Sequence, residues 1–431
     1  MISLIIVLAI VASIVLGFKT KKNTGIFAIA FAYIIGCYML GMKTGDFIKT
    51  WPVKIFFYLM SVSLFYGFAI VNGTLEKLSK YLLYYSRKSP RWLPYILFGI
   101  TMIMAGLGVG NMPVIAFFTP IMFMICEKSG IDPLIGAMAI NYGSLAGTNF
   151  MTSANGVVYR GVMDDAGFSA QSFTYSASIF LGSVIIPIIV LALLTFVLKG
   201  SRITITELDI EMPEPFTAVQ KKTFYLIMLM LVVVLIGPVL HLLLPDNGVI
   251  ATISGNADIG CIASVFAVIA SLMDLADEKS VIAKIPWKTI ILIGGVGMLI
   301  SIAQKAGTVD ILANWVSGNI PVVLVPIVIT IIGACMSFFS STVGVVCPTL
   351  FPIVPVICEA TGINPMILFT AIIIGAQASA ISPFSAAGSI IIGGCEDEKV
   401  YNKLYPELIV KAIPISVVFA VLLSIVMSVI F

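Results

Sequence analysis

The chain of 431 residues is 60% hydrophobic and 10% charged, with a mean hydropathy of +1.12. No soluble domain of this size has such a composition, so the class is a polytopic helical membrane protein. Twenty-four basic against 21 acidic residues leave a net charge of +3, too small to point to nucleic acid.

Taken in chain order, the first apolar stretch (MISLIIVLAIVASIVLGFKTKKN) has no basic segment ahead of it and a lysine cluster behind it. It reads as a span entering with its N-terminus outside, not as a cleaved signal. Spans near 25–41 and 53–71 follow, then a short amphipathic arm at 75–91. The apolar pieces 92–108 and 112–129 are too closely linked to be two crossings with a loop between them, and read as a re-entrant hairpin. Residues 133–163 form an interrupted span and 173–198 a final one. The mixed-charge stretch 199–222 reads as a cytoplasmic linker.

Beyond the linker the order begins again. PIMFMICEKSGIDPLIGAMAI starts at Pro120 and PIVPVICEATGINPMILFTAI at Pro352, an offset of 232 without a gap. Residues 120–165 and 352–397 share 18 identities in 46 positions. An apolar composition alone gives roughly a tenth, so the chain is an internal duplication. The same offset carries 25–41, 53–71 and 173–198 onto 257–273, 285–303 and 405–430. The expected division is 1–198 and 223–431 as repeats joined by 199–222.

With each hairpin counted as re-entrant, a half has five crossings, and an odd number inverts the second half relative to the first. Nineteen Lys and Arg then fall inside and five (Lys43, Lys49, Lys54, Arg160 and Lys305) outside, a strong positive-inside asymmetry. Both termini are expected outside. Inverted repeats with broken helices are the signature of secondary transporters, whose sites lie near the bilayer midplane.

Non-helical chain at membrane depth is tolerated only where protein or a cavity surrounds it. Four such places stand out. Two are hairpin tips, GLGVGNMP at 106–113 and FFSSTVG at 338–344. Two are span breaks, GTNFMTSANG at 147–156 and SAISPFSAAG at 379–388. Each break leaves a helix end with free carbonyls, suited to a small hard cation, and one with free N–H groups, suited to an anion. Asn111 before Pro113, and Ser382 before Pro383, have the spacing of N-caps. Glycine, serine and threonine in membrane helices commonly serve close packing alone; four clusters paired by the repeat favour a site. None of the four contains Asp, Glu, Lys or Arg, which disfavours a proton relay through an intramembrane carboxylate. Glu127 and Glu359 close the hairpin bases, and Arg160 reads as an interfacial anchor or, alternatively, an outer-gate contact. Asp164 and Asp165 read as solvated loop-end residues. An enzyme working at this depth needs a base or metal ligands there. The one histidine, His241, is peripheral. The seven scattered cysteines contain no CxxC pair and read as small buried hydrophobes.

The segment GNMPVIAFFTPIMFMI resembles the hairpin that carries a Ser-Asn-Thr motif in divalent anion/sodium symporters. GTNFMTSANG and ISPFSAAGSII resemble dicarboxylate carriers of the malonate-carrier (MatC) type, and both groups belong to the ion transporter superfamily. The resemblance implies an elevator transporter, usually a homodimer. A scaffold of spans at 1–91 and 223–323 would hold hairpins and broken helices at 92–198 and 324–431. Gly110-Asn111-Met112 takes the first motif position, retaining only the Asn; Thr342-Val343-Gly344, preceded by Ser341, retains less. By this resemblance, Asn111, Thr148, Asn149, Ser153, Thr342, Ser382 and Ser385 would bind substrate. Gly110, Asn111, Gly147, Thr148, Ser341, Thr342, Ser379 and Ser382 would surround the coupling cations. The expected function is Na⁺-coupled symport of C3–C4 dicarboxylates in a prokaryotic inner membrane, with no organic cofactor. A cation/proton antiporter, or a carrier of another anion on the same fold, is the alternative.

Overall fold

The computed structural model describes residues 2–86, 92–197, 212–244, 247–250 and 258–431. Most of the expected linker, 199–211, lies outside the described residues, as do 87–91 of the amphipathic arm. The described part is helical, with no strand among the described residues. Seven of its helices are long and apolar enough to cross a membrane, from Val53–Val71 to Glu398–Ile430. This is an integral membrane protein. A long helix, Ala218–Leu243, starts inside the segment assigned to the linker; Thr217 and Gln220 close its N-terminus as a capping box.

The element order repeats at the 232-residue spacing. Thr24–Tyr33 is matched by Ile259–Leu272, and Val53–Val71 by Trp287–Lys305. The amphipathic arm Thr74–Ser86 is matched by Thr308–Asn319. The hairpin arms Leu93–Met104 and Asn111–Ser129 are matched by Val325–Ser337 and Thr342–Thr361. The broken span Pro133–Thr148 plus Ala154–Asp165 has its twin in Pro365–Ser379 plus Ala386–Gly393. The pieces on either side of each break are short, because a glycine- and hydroxyl-rich run between them cannot continue the helix without exposing its backbone.

The halves interlock crosswise. Thr24–Tyr33 packs on Trp287–Lys305, and Ile259–Leu272 on Val53–Val71. In the first pair Gly25 abuts the backbone of Ile291 and Leu292, while Gly36 faces Ile302. In the second, Gly260 lies against Phe57 and Tyr58, Phe266 stacks edge-on to Phe65 at 5.8 Å, and Asn72 Nδ2 donates to the Leu275 carbonyl at 3.1 Å. Both pairs therefore run parallel. Pro52 lies against Gly297 and Trp51 against Gly294, while Ile55 and Leu59 share a crevice with Ile290 and Ile293. Val53–Val71 thus runs antiparallel to Trp287–Lys305.

Between apolar helices in lipid the attraction is close packing rather than water exclusion, and the glycines supply it. A Cβ on Gly143 would lie 2.3 Å from the Phe98 carbonyl; one on Gly375, its twin, would lie 2.1 Å from the carbonyl of Thr330, the twin of Phe98. The first arm of each hairpin is thereby pressed onto its own broken span by the same contact.

Candidate functional site: two tips against two breaks

The first tip begins where the helix Leu93–Met104 widens into a π-type turn over Ala105–Val109. Gly108 (φ +91) and Gly110 (φ +81) then take backbone conformations that side chains rarely adopt. The Tyr66 ring lies flush against Gly108, where a Cβ would come within 2.0 Å of it. The next helix starts at Asn111, with Gly110 as its cap residue and no capping side chain. Asn111 is thus the first helical residue and not the N-cap that its spacing from Pro113 suggests. Proline is tolerated anywhere in a first turn, whose N–H groups need no helical partner, so Pro113 does not fix where the helix begins.

The second tip is closed by its own hydroxyls. Ser341 is a true N-cap, accepting from the Gly344 N–H at 3.1 Å. The Ser337 and Thr342 hydroxyls lie 2.9 Å apart, and Ser340 donates to the Met336 carbonyl at 2.6 Å. Leu292 packs on Gly344 here, in the place of Tyr66 at the first tip.

The first break, 149–153, is tied to the first tip. Ser153 donates to the Gly106 carbonyl, and Gly147 sits so close that a Cβ would lie 2.1 Å from the Met102 carbonyl. Its polar side chains form one buried network. Asn155 Nδ2 donates to Thr148 Oγ1 at 3.1 Å and to Asn149 Oδ1 at 3.2 Å, and the Tyr159 hydroxyl donates to the same Oδ1 at 3.1 Å. Asn149 Nδ2 donates to Ser183 at 2.8 Å and to Gln377 Oε1 at 3.1 Å. An amide has two donor and two acceptor positions, and Asn149 fills all four with protein. It is the centre of the break's hydrogen-bond network. Thr152 Oγ1, by contrast, is buried without a partner.

The second break, 380–385, keeps its own hydroxyl bonds within the loop. Ser379 donates to the Ala334 carbonyl of its hairpin at 2.6 Å. Ser385 caps the next helix, accepting from the Gly388 N–H at 3.2 Å, and its hydroxyl lies 2.6 Å from the Ala380 carbonyl. Ser382, the N-cap expected from Ser-Pro, accepts only the Phe384 N–H at 3.2 Å and turns the loop three residues before the cap, Ser385. Phe384 meets Phe338 and Phe339 of the second tip, with ring centroids 5.6 Å apart in both cases.

The structure thus brings Gly147 and Ser153 against Gly106 at the first tip–break junction, and Thr148 and Asn149 to the network behind it, while a Cβ on Gly110 would meet only Pro113 of its own helix. Ser341, Thr342, Ser379, Ser382 and Ser385 lie at the second junction. Each break's far half-helix leans on the opposite hairpin: Ala386–Gly393 on Asn111–Ser129, and Ala154–Asp165 on residues 342–353, where Tyr159 and Phe351 are 6.0 Å apart. Sequence reasoning missed Asn155, Tyr159, Ser183 and Gln377. Their signal was available, since each is polar where its twin is apolar.

At the rim, Arg160 does not reach outward as an anchor. Its Nε is buried and unpaired, and its guanidinium lies 5.5 Å from the Phe173 ring centre. Asp164 is not solvated either: it pairs with Lys54 at 2.6 Å. Glu127 and Glu359 are exposed at their helix ends. Among the described residues no group of three His, Cys, Asp or Glu forms a metal cluster.

By sequence, no curated protein matches the chain. Solved structures share its fold, two of them as follows. The YdaH transporter of Alcanivorax borkumensis, described as having an unusual topology, aligns with TM-score 0.59 at 15% identity, covering 89% of this chain and 86% of its own. MtrF of Neisseria gonorrhoeae, from a class of antimetabolite efflux pumps, aligns with TM-score 0.58 at 12% identity, covering 93% and 84%. The family model described as dicarboxylate carrier protein MatC N-terminus matches residues 1–148 and 226–380, more than half of the chain. With its transporter fold and its uncharged tip–break junctions, the chain belongs to the MatC dicarboxylate carrier family.

Proposed function

We propose that this carrier moves small dicarboxylates, C3–C4 diacids, across the membrane in symport with Na⁺, its hairpins and broken spans travelling together against a scaffold. The observation that carries the reading is the pair of tip–break junctions, 232 residues apart in a chain of this family, built from helix ends and hydroxyls without a charged side chain. A carboxylate is received by free N–H groups at a helix start, such as those of Asn111 and Met112. A dehydrated Na⁺ is received by carbonyls at a helix end with hydroxyl oxygen nearby. The buried, unpartnered Thr152 hydroxyl is the oxygen at the first junction with capacity to spare. A proton-coupled mechanism has no carboxylate to use at these depths.

The inverted arrangement is supported by the crosswise packing. Thr24–Tyr33 is parallel to Trp287–Lys305, which is antiparallel to Val53–Val71, which in turn is parallel to Ile259–Leu272. This packing supports a reading in which a span and its twin point in opposite directions. A homodimer held through the scaffold, and an inner-membrane location with both termini outside, belong to the same proposal.

The test is uptake of labelled malonate, succinate and fumarate into proteoliposomes, with and without an inward Na⁺ gradient. Accumulation driven by Na⁺ and competed by diacids is expected. Uptake driven by a pH gradient alone would sink the Na⁺ assignment, and indifference to all three diacids would sink the substrate class. Asn111→Ala and Ser385→Ala should each lower uptake while leaving the protein monodisperse in detergent.

A further inference from the structure

Gln377 is the one long amide in Pro365–Ser379, a helix otherwise built from apolar and small residues, and it is buried. Its main chain belongs to the second break, where the Ala380 N–H closes the last turn on the Gln377 carbonyl at 3.1 Å. Its side chain belongs to the first, where Oε1 accepts from Asn149 Nδ2 and lies 2.8 Å from the Ser183 hydroxyl. Asn149 is itself the residue that ends Pro133–Thr148. One amide therefore joins the two helix ends at which free carbonyls gather.

The duplication sharpens this. Thr148, Asn149, Asn155, Tyr159 and Ser183 have as twins Ala380, Ile381, Ala387, Ile391 and Ile415, while Gln377 stands where the first copy has Leu145. The polar network exists once, and the second half's contribution to it is the residue that reaches across. Plain adhesion between the broken spans is supplied elsewhere, by the Tyr142 hydroxyl donating to the Ala378 carbonyl at 2.9 Å. Moreover, Gln377 Nε2 has no partner. A residue kept only to weld two helices would be satisfied at both ends, because an unpaired amide in a buried site works against stability.

Resting on the cation-coupled reading above, we propose that Gln377 is a positioning residue that makes the two carbonyl ends respond together, so that Na⁺ held at one break sets the geometry offered at the other. Displacing the Asn149 amide pulls on Gln377 and hence on the last turn before Ala380.

The experiment follows the Na⁺ dependence of labelled malonate and succinate uptake in proteoliposomes, for wild type, Gln377→Leu and Ser183→Ala. In Q377L the half-saturating Na⁺ concentration should rise by roughly tenfold, within the usual range of coupling between sites. The maximum rate and the diacid KM at saturating Na⁺ should stay within about twofold of wild type, a split that a merely structural loss would not produce. Ser183→Ala, which leaves the Asn149–Gln377 bond in place, should shift Na⁺ dependence in the same direction by a smaller factor. Should Q377L fail to fold, an unmoved half-saturation in S183A overturns the proposal. So does a fall in rate with unchanged Na⁺ dependence in either variant. Wild-type uptake indifferent to Na⁺ instead overturns the coupling reading beneath it.

Discussion

The two breaks have the same backbone and different chemistry. In both, a glycine lets the second half-helix fold back onto the loop: a Cβ on Gly156 would lie 2.1 Å from the Phe150 carbonyl, and one on Gly388 the same distance from the Ser382 carbonyl. In both, a serine precedes the restarting helix, Ser153 and Ser385. Yet Ser153 reaches its tip and Ser385 stays within its own loop. Thr152 stands buried and unpartnered where its twin, Phe384, packs on the aromatic rings of the second tip. The two copies share what the backbone needs in order to stop and restart, and differ in the side chains around it. The first break is lined by a buried polar network with one hydroxyl, that of Thr152, to spare. The second is closed largely by shape.

The seats of the two tips differ in the same way. Tyr66 sits late in Val53–Val71 and meets the first tip; Leu292 sits early in Trp287–Lys305 and meets the second. Ala154–Asp165 packs along Val53–Val71, whereas its twin Ala386–Gly393 leans chiefly on the opposite hairpin.

The largest expected effect comes from breaking the asymmetry at its centre. Asn149→Leu strips partners from Asn155, Tyr159 and Gln377, and each buried group left unpaired costs about 1–3 kcal/mol. Uptake should fall by at least roughly tenfold and the melting temperature in detergent should drop clearly. Ile381→Val, at the twin position, should change neither by much. Equal damage from both would mean that the polar network is ordinary packing.

Gly143→Ala and Gly375→Ala probe what the halves share. Each forces a Cβ into a carbonyl across the hairpin–span contact, and overpacking of this kind costs about 1–3 kcal/mol. The two variants should lose similar amounts of thermal stability. A large difference between them would show that the two hairpins are not held by the same contact.

Ser153→Ala against Ser385→Ala is a finer comparison. The first removes a bond from break to tip and the second a bond within the break, each a matter of about 1 kcal/mol. Ser153→Ala should therefore raise the diacid KM more than Ser385→Ala does, with both proteins equally stable to heating. Matching KM values would remove the distinction between a tip-linked break serine and a loop-bound one.

Much of this architecture is legible in the amino-acid sequence. Glycine and hydroxyl runs inside apolar stretches mark where a membrane helix must stop, and the 232-residue offset marks where it stops again. What the sequence does not reveal is which side chains cross between the halves. Gln377 sits in an apolar run a full turn ahead of its break, and nothing local tells it from a tolerated polar residue; its partners Asn149 and Ser183 lie 228 and 194 residues away. The N-cap expectations failed for a related reason. Asn-X-Pro and Ser-Pro signal a start within a turn of the proline, while the starting residue is chosen by where the chain can reverse, and that is decided by Gly110 and by the loop through Ser385.

The smallest effect is expected at the rim. Lys54 and Asp164 join Val53–Val71 to Ala154–Asp165, while their twins, Pro286 and Glu396, cannot form such a pair. The lysine is 42% exposed, so the pair contributes at most about 1 kcal/mol and is weakened by salt. Asp164→Asn should leave stability nearly unchanged. If the pair spans a sliding boundary, its loss should alter the rate of net uptake by no more than about fivefold, the ceiling that such an energy sets, without touching the diacid KM. Reconstituted wild type and variant compared at low and high potassium chloride decide the matter. The two should converge as salt rises, and a difference that persists at high salt would mean that Asp164 acts through its unpaired second oxygen rather than through Lys54.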